Sequence, residues 1–138
     1  MKSPVTVDAS VFVNAFSPDE DESDASLDFL SRLREEDTPL VQPTLLFPEV
    51  IASIARKQDD TQAALELAEE LRGFPKLTLV DLDEDFASYA SEVAAKHRLR
   101  GSDAVYAAVA LRFGADLITL DKEQLERLPK VLSVRAPR

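Results

Sequence analysis

Short apolar runs alternate along this chain with longer segments in which apolar residues recur every three or four positions. The short runs predict β-strands at Val5–Val7, Pro39–Val41, Leu77–Val80, Leu117–Leu120 and Val131–Val134. The periodic segments predict helices at Ser10–Phe16, Ala25–Glu35, Thr44–Lys57, Asp59–Gly73, Asp83–Arg98, Ser102–Phe113 and Lys122–Leu128. Because this alternation requires right-handed crossover connections, it predicts an α/β fold with a parallel sheet and helices on both faces.

Polar residues and helix breakers indicate where several of these helices begin or end. Pro48 is expected in or near the first turn of its helix, because a proline deeper in the helix would interrupt the hydrogen-bond ladder. Gly73 is expected just beyond the end of the fourth helix, where left-handed backbone is common. Side-chain caps are expected for the second and sixth helices, from Ser23 or Asp24 and from Ser102 or Asp103.

Length and composition narrow the class of protein. With 138 residues, 45% hydrophobic and 30% charged, residues 1–138 are expected to form a single domain. The absence of cysteine excludes disulfides and thiolate metal sites, and it favours a cytoplasmic protein. No apolar run approaches the ~20 residues of a membrane span, and the segment MKSPVTVDAS lacks the apolar core of a signal peptide.

The formal net charge is −10, and five carboxylates lie in the single stretch Ser17–Asp24. This balance argues against non-specific adhesion to nucleic acid, because phosphate binding depends on Lys and Arg. It is compatible with a nucleic-acid enzyme whose groove is locally basic, with a basic protein partner, or with a divalent-cation site. The acidic stretch itself is expected to be a solvated loop.

Four carboxylates occupy positions that a parallel sheet would bring together. Asp8 follows the first strand and Asp121 the fourth, and the carboxyl ends of parallel strands meet at one edge. Asp103 opens a helix whose alanines allow close packing on the sheet, and Glu49 lies in the first turn of the helix after the second strand. Taken singly, Asp103 and Asp121 could be helix caps and Glu49 a solvated acid. Asp8 is harder to explain, because it interrupts an apolar strand-to-helix junction.

Taken together, the four acids predict a cation site. Two carboxylates ~4 Å apart repel each other by about 4 kcal/mol at an effective dielectric constant near 20. Converging acids therefore either protonate or hold a cation. Oxygen ligands without His or Cys select hard ions such as Mg²⁺ or Mn²⁺, which bind phosphates and can activate water for attack on a phosphodiester.

These segments resemble the PIN-domain ribonucleases, in particular the compact toxins of VapC-type toxin–antitoxin pairs. The resemblance covers nearly the whole chain. It rests on four motifs in order, VDASVFVNAF with Asp8, FPEVIASIAR with Glu49, LRGSDAVYAAVAL with Asp103 and GADLITLD with Asp121. It implies a three-layer α/β/α sandwich around a parallel sheet of about five strands.

The resemblance also implies a function and its residues. Asp8, Glu49, Asp103 and Asp121 would be the catalytic, metal-binding acids of an Mg²⁺- or Mn²⁺-dependent endoribonuclease. Ser10 and Thr119 match the family's supporting hydroxyl positions beside the first and last acids. The implied partners are an RNA substrate, a cognate antitoxin that could insert a basic residue among the acids, and a second copy of the chain in a homodimer.

Two positions depart from the family pattern. Ala9 stands where a threonine is common, although the Ser10 hydroxyl follows it. Gln124 and Leu125 occupy the region after Asp121 where an aromatic residue is usual. Neither change removes a carboxylate, so both bear on substrate contacts more than on the chemistry.

An acidic enzyme of this class needs basic residues along the path of its RNA. The densest basic segment is Lys96–Arg100, just before Asp103, and Arg56 lies beyond Glu49. Lys96, Arg98, Arg100 and Arg56 are therefore candidate phosphate contacts. The alternative for this segment is a cationic helix end that complements the helix dipole. Tyr106 could stack on a base, although a core tyrosine is the simpler interpretation.

Two other functions are compatible with a parallel sheet and an acidic pocket. One is a receiver-type phosphoacceptor domain, in which Asp81 after the third strand would be phosphorylated. Such a domain calls for an acidic pair after the first strand, where Asp8 is alone. The other is a catalytically silent binding module with the same fold. A haloacid-type phosphatase is disfavoured, because Ser10 stands where its second aspartate is required.

Overall fold

The computed structural model describes residues 2–138 and has the alternating architecture that the sequence predicts. The strands are β1 Val5–Val7, β2 Leu40–Pro43, β3 Leu77–Val80, β4 Asp116–Ile118 and β5 Val134–Arg135. The helices are α1 Ala9–Ala15, α2 Ser23–Glu35, α3 Leu46–Gln58, α4 Thr61–Arg72, α5 Glu84–His97, α6 Gly101–Phe113 and α7 Lys122–Arg127. Both the α/β class and the five strands are confirmed.

The five strands form one parallel sheet in the order β3-β2-β1-β4-β5. β1 lies at its centre, paired with β2 on one side and with β4 on the other. The chain moves outward from β1 to β3 and then crosses back to β4. The strand order therefore reverses between β1 and β4, which is where open sheets of this kind bind their ligands.

Helices cover both faces of the sheet. The right-handed rule for crossovers assigns α1–α4 to one face and α5 and α6 to the other. Consistently, α1 contacts α2 and α3, whereas α6 contacts α5 and the three inner strands β1, β2 and β4. Every residue from Ala104 to Ala110 is buried, and the alanines let α6 lie close to the sheet. Within residues 2–138, no helix is both long enough and apolar enough to cross a membrane.

A buried glutamine completes the pairing of the central strands. β1 and β2 share one backbone register pair, Val5 with Leu40. Further along, the side chain of Gln42 takes over: its Oε1 accepts from the Val7 amide at 2.6 Å and its Nε2 donates to the Val7 carbonyl at 2.8 Å. Val7 immediately precedes Asp8, so this side chain fixes the end of the strand that delivers the first acid.

Several predicted helix boundaries are wrong. α2 begins at Ser23 after Glu22, whose backbone is left-handed, and α6 begins at Gly101 after Arg100, so neither predicted side-chain cap forms. Gly73 does follow α4, but with φ of −83° rather than a left-handed conformation. The last strand begins at Val134 because residues 128–132 form a turn in which Val131 and Leu132 donate to the Leu128 carbonyl. Pro48 lies in the first turn of α3, as predicted.

Asn14 acts as an anchor for the acidic loop. Its Nδ2 donates to the Asp21 carbonyl at 2.9 Å, and its Oδ1 accepts from the Ser26 hydroxyl at 2.7 Å. This one buried side chain therefore links α1 to the loop and to α2. The loop itself is exposed, as expected, and its Glu20 forms an ion pair with Lys57 of α3.

The two fully buried glutamines provide a matched test of polar burial. Both polar atoms of Gln124 are without a hydrogen-bond partner in the described structure, whereas both polar atoms of Gln42 are paired. We expect Gln124→Met to raise the free energy of unfolding by about 1 kcal/mol, and Gln42→Met to lower it by about 2–3 kcal/mol. Urea denaturation of both variants measures these changes. Equal destabilisation by the two substitutions would contradict the interpretation.

Candidate acidic site at the carboxyl edge of the sheet

Asp8 is held at the end of β1 by neutral donors alone. It is the N-cap of α1, and its backbone amide donates to the Ile118 carbonyl of β4 at 2.8 Å. Its Oδ2 accepts from the Ser10 hydroxyl at 2.6 Å, the Thr119 hydroxyl at 3.2 Å and the Ser10 amide at 3.3 Å. Ser10 and Thr119, the two predicted supporting hydroxyls, therefore converge on the same carboxylate oxygen.

The same hydroxyls connect Asp8 to the segment that carries Asp121. Ser10 Oγ also accepts from the Leu120 amide at 3.3 Å, and Thr119 Oγ1 accepts from the Asp121 amide at 3.0 Å. Each hydroxyl thus bridges the carboxylate of one strand end and the backbone of the other. This pair of bridges sets the separation between the first and last acids.

Asp8 is a buried carboxylate without a charged partner. Its exposed fraction is 5%, and among residues 2–138 no Lys, Arg or His forms an ion pair with it. Burial raises the pKa of Asp8 to about 6, and the charge of Asp103 adds to this effect, while the hydrogen bonds from Ser10 and Thr119 oppose it. The carboxylate is therefore ionised at neutral pH at a cost in stability.

Asp103 and Asp121 share one cation, Arg100. The guanidinium donates from Nε to Asp103 Oδ2 at 3.1 Å and from a terminal nitrogen to Asp121 Oδ2 at 2.9 Å. Burial raises the pKa of Asp103, Arg100 opposes that rise, and the charges of Asp121 and Glu123 add to it. Asp121 also caps α7, because its Oδ1 accepts from the Glu123 and Gln124 amides at 2.8 and 3.1 Å.

Glu49 is oriented by a buried tyrosine. Tyr106, 1% exposed, donates its hydroxyl to Glu49 Oε1 at 2.7 Å and so connects α6 to the first turn of α3. Burial and the Glu49 charge raise the pKa of Tyr106, so the hydroxyl remains a donor. The ring is too buried to stack on a base. Sequence reasoning missed this contact, although Tyr106 lies one helical turn from Asp103 on the same face.

The acids are electrostatic neighbours, but they do not form a finished metal site. The charge of Asp103 raises the pKa of Asp8, and the charge of Asp121 raises the pKa of Asp103. The charges of Glu49, Asp8 and Asp103 all raise the pKa of Tyr106. No group of three or more His, Cys, Asp or Glu side chains in residues 2–138 is arranged to hold a metal as it stands. Asp8, Glu49 and Asp103 each keep one oxygen that accepts no hydrogen bond within that range.

The four candidate phosphate contacts are exposed side chains. Lys96, Arg98 and Arg56 are exposed, and only Arg100 contacts the carboxylates directly. Arg127 of α7 donates to the Arg98 carbonyl at 2.8 Å, which fastens the basic segment beside the helix that Asp121 caps. The sequence predicts Arg100 only as a phosphate contact. The (i, i+3) spacing from Arg100 to Asp103 was the signal that could have predicted the ion pair.

Comparison with protein-family models shows that residues 5–131 match the PIN domain. The chain belongs to the PIN domain family. All four acids of this PIN domain lie inside the matched region. Among curated proteins, no sequence matches the chain.

Solved structures similar to this PIN domain include proteins of bacterial toxin–antitoxin systems. VapC20 of Mycobacterium tuberculosis, a toxin that cleaves the sarcin–ricin loop, is 18% identical with a TM-score of 0.69, and the match covers 86% of this chain and 90% of that one. DNA-bound VapBC of Salmonella typhimurium is 16% identical with a TM-score of 0.68 over 100% of both chains. VapBC2 of Rickettsia felis, bound to a promoter DNA fragment, is 16% identical with a TM-score of 0.67, covering 96% and 98%. At these identities the likeness is one of fold.

The buried Asp8 carboxylate predicts a distinctive pH dependence of stability. The folded protein binds this proton at a pKa of about 6, against an ordinary value of 3.8. The Asp8 contribution to the free energy of unfolding therefore falls as the pH rises from about 4 to about 6, by roughly 3 kcal/mol, and stays low above that. We expect Asp8→Asn to be more stable than the wild type at pH 7.5 and nearly equal to it at pH 4.

Urea denaturation with chelator present, at several pH values, measures this difference. Asp116→Asn is the matched control, because Asp116 lies at the opposite end of β4 and is partly exposed. A stability difference between Asp8→Asn and the wild type that does not change between pH 4 and 7.5 would contradict the argument.

Proposed function

We propose that this PIN domain is a metal-dependent endoribonuclease that hydrolyses phosphodiester bonds of RNA, and that it is the toxin of a type II toxin–antitoxin pair. The observation that carries the proposal is the acidic site itself. Asp8 and Asp121 follow β1 and β4, on either side of the switch point of the sheet. Arg100, the one cation that pairs with the four acids in residues 2–138, joins Asp103 to Asp121. Tyr106 of the same helix as Asp103 donates to Glu49. Family membership and the similar toxin structures support the same reading.

The donor set fits Mg²⁺ or Mn²⁺. All the candidate ligands are carboxylate oxygens, which hard divalent cations prefer. The free oxygens of Asp8, Glu49 and Asp103, with Asp121, would hold the ion, and its charge would offset the burial that raises the pKa of Asp8 and Asp103. When bound, such an ion supplies activation of water and stabilisation of charge on the phosphate.

The protein's own residues would then position the reaction. Ser10 and Thr119 hold Asp8 through one oxygen and leave the other free, so this ligand is fixed before any cation arrives. Tyr106 holds one oxygen of Glu49 and leaves the second to bind the ion or to orient the attacking water. Preorganised oxygens of this kind contribute to catalysis because they need not move during the reaction.

The basic segment beside the site is the proposed path of the RNA. Lys96, Arg98 and Arg100 lie before and at the start of α6, and Arg56 lies near the end of α3 beyond Glu49. Their positive charges would contact phosphates on either side of the scissile bond, while the net charge of −10 discourages binding elsewhere. Such contacts position the backbone without reading its sequence.

The toxin assignment adds protein partners. The similar structures include complexes of toxins with their antitoxins, and we propose an antitoxin partner and a homodimer for this chain, in the cytoplasm. The acidic surface suits a partner with basic residues. Copurification with the product of the neighbouring reading frame, followed by measurement of the mass of the complex, would test this part of the proposal.

The strand order weighs against the receiver alternative. Receiver-type sheets have the order 2-1-3-4-5, whereas here β3 is the edge strand, two positions from β1. Asp81 after β3 is therefore remote from the Asp8 site. The catalytically silent binding module has the same fold as the nuclease, so only a cleavage experiment distinguishes the two.

Substitution of an acid should separate chemistry from folding. We expect Asp103→Asn to lower RNA cleavage by at least ~100-fold, because a half-buried ligand of the proposed metal ion is lost. Asp116→Asn, at the other end of the sheet, should cleave like the wild type. Cleavage of a labelled RNA in Mn²⁺ or Mg²⁺, with chelator added in a parallel reaction, measures both.

Thermal unfolding provides a second readout. Mn²⁺ should raise the melting temperature of the wild type more than that of Asp103→Asn, because a ligand stabilises the state that binds it. Full activity of Asp103→Asn, or wild-type cleavage that persists in excess chelator, would refute the proposed mechanism. Wild type that binds Mn²⁺ without cleaving any RNA would favour the silent module.

Tyr106 is predicted to be a positioning residue that acts through Glu49. Tyr106→Phe should lower kcat about five- to tenfold, corresponding to roughly 1 kcal/mol, with KM unchanged, because Glu49 loses its orienting donor. Tyr89→Phe is the matched control, since Tyr89 packs against Phe86 and contacts none of the four acids. A change in KM alone, or equal effects of the two substitutions, would show that Tyr106 has no such role.

A further inference from the structure

Arg100 occupies the position between two of the proposed metal ligands. Its guanidinium reaches Asp103 Oδ2 at 3.1 Å and Asp121 Oδ2 at 2.9 Å, and these carboxylates belong to different helices. Within residues 2–138 it is the only cation that pairs with any of the four acids. The Arg100 guanidinium therefore occupies the space that a divalent ion bound to both Asp103 and Asp121 would need.

Both oxygens of the Asp121 carboxylate accept hydrogen bonds. Its Oδ1 is engaged by the amides of Glu123 and Gln124 at the start of α7. Its Oδ2 is the oxygen that Arg100 takes. An ion that binds Asp121 through Oδ2 must approach the oxygen that the Arg100 guanidinium already contacts. Asp8, Glu49 and Asp103 each offer an oxygen that accepts no hydrogen bond within residues 2–138.

Arg100 is also free to leave. Its side chain is 74% exposed, against 16% and 17% for its two partners. It lies at the N-cap of α6, where its own side chain makes no capping hydrogen bond. The movement needs rotation of one exposed side chain and no change in the backbone.

We propose that Arg100 is a built-in counterion that competes with the divalent cation and must swing out before Asp103 and Asp121 can bind it together. This inference rests on the proposed metal site. In the metal-free protein Arg100 limits the repulsion between the acids, and in the loaded protein the displaced guanidinium lies at the edge of the site, where it can contact a phosphate.

The size of the effect follows from exposure. Exposed ion pairs are weak, so two such contacts should lower the apparent affinity for the cation by about three- to tenfold and not more. The competition should weaken further as salt is added, because exposed charges are screened.

Calorimetric titration of the metal-free full chain with Mn²⁺ alone tests the proposal. Arg100→Gln should bind Mn²⁺ about three- to tenfold more tightly than the wild type at low salt. Lys122→Gln is the matched control, because Lys122 is exposed, lies next to Asp121 and forms no ion pair within residues 2–138. This substitution changes the net charge by the same amount but leaves Arg100 between Asp103 and Asp121. It should change the affinity by less than about twofold.

Thermal unfolding gives a readout that does not depend on binding heats. Without metal, Arg100→Gln should melt at a lower temperature than the wild type, because the acids lose their counterion. At saturating Mn²⁺ the difference should disappear. A variant that is less stable under both conditions would point to a purely structural ion pair and would overturn the proposal.

The outcomes also separate this inference from the proposed function. If the wild type binds Mn²⁺ and Arg100→Gln binds it equally or more weakly, the competition is refuted and the metal site stands. If the two charge-removing variants gain affinity equally, the effect is a general one of charge and the competition is again refuted. If none of the proteins binds Mn²⁺ at millimolar concentration, the metal site fails, and the inference fails with it.

Discussion

The arrangement of the whole site depends on one carboxylate that is buried without a cation. Asp8 ends the central strand, and a buried charge in that position is costly unless something compensates it. The protein compensates it with dipoles, namely two hydroxyls and an amide on a single oxygen. Those hydroxyls are fixed in turn by the backbone that leads to Asp121. The requirement to hold Asp8 therefore determines where the last acid lies.

The other three acids are held by different kinds of partner. A neutral phenol orients Glu49, a helix N-terminus receives one oxygen of Asp121, and only Asp103 and Asp121 have a charged partner. Neutral donors orient a carboxylate without cancelling its charge. A guanidinium cancels the charge, but it also fills the space between its two partners. Neutral donors thus hold Asp8 and Glu49, whereas Asp103 and Asp121 share the guanidinium that we propose a cation displaces.

Sequence patterns predict more of the fold than of the contacts within the site. Apolar periodicity is sufficient for the parallel sheet and for Asp8 and Asp121 at its carboxyl edge, because these follow from strand polarity. It cannot supply contacts between side chains from distant elements. The Tyr106–Glu49 hydrogen bond spans 57 positions and the Gln42–Val7 pair spans 35, so neither has a local signature. The predicted side-chain caps of α2 and α6 were wrong for a related reason. Glu22 and Arg100 precede these helices without a capping hydrogen bond, because the packing of the helices decides where they begin.

A divalent cation at the proposed site would offset the stability cost of the ionised acids, so stability and the proposed function depend on the same charges. Burial raises the pKa of both Asp8 and Asp103, which means that the metal-free fold carries a penalty for its ionised acids. Arg100 relieves that penalty only for the half-buried Asp103 and Asp121 and forms no ion pair with Asp8. An ion bound by the free oxygens would act on the buried acid as well, which an exposed arginine cannot do. The unrelieved charge on Asp8 is therefore the strongest physical argument for the proposed cation site.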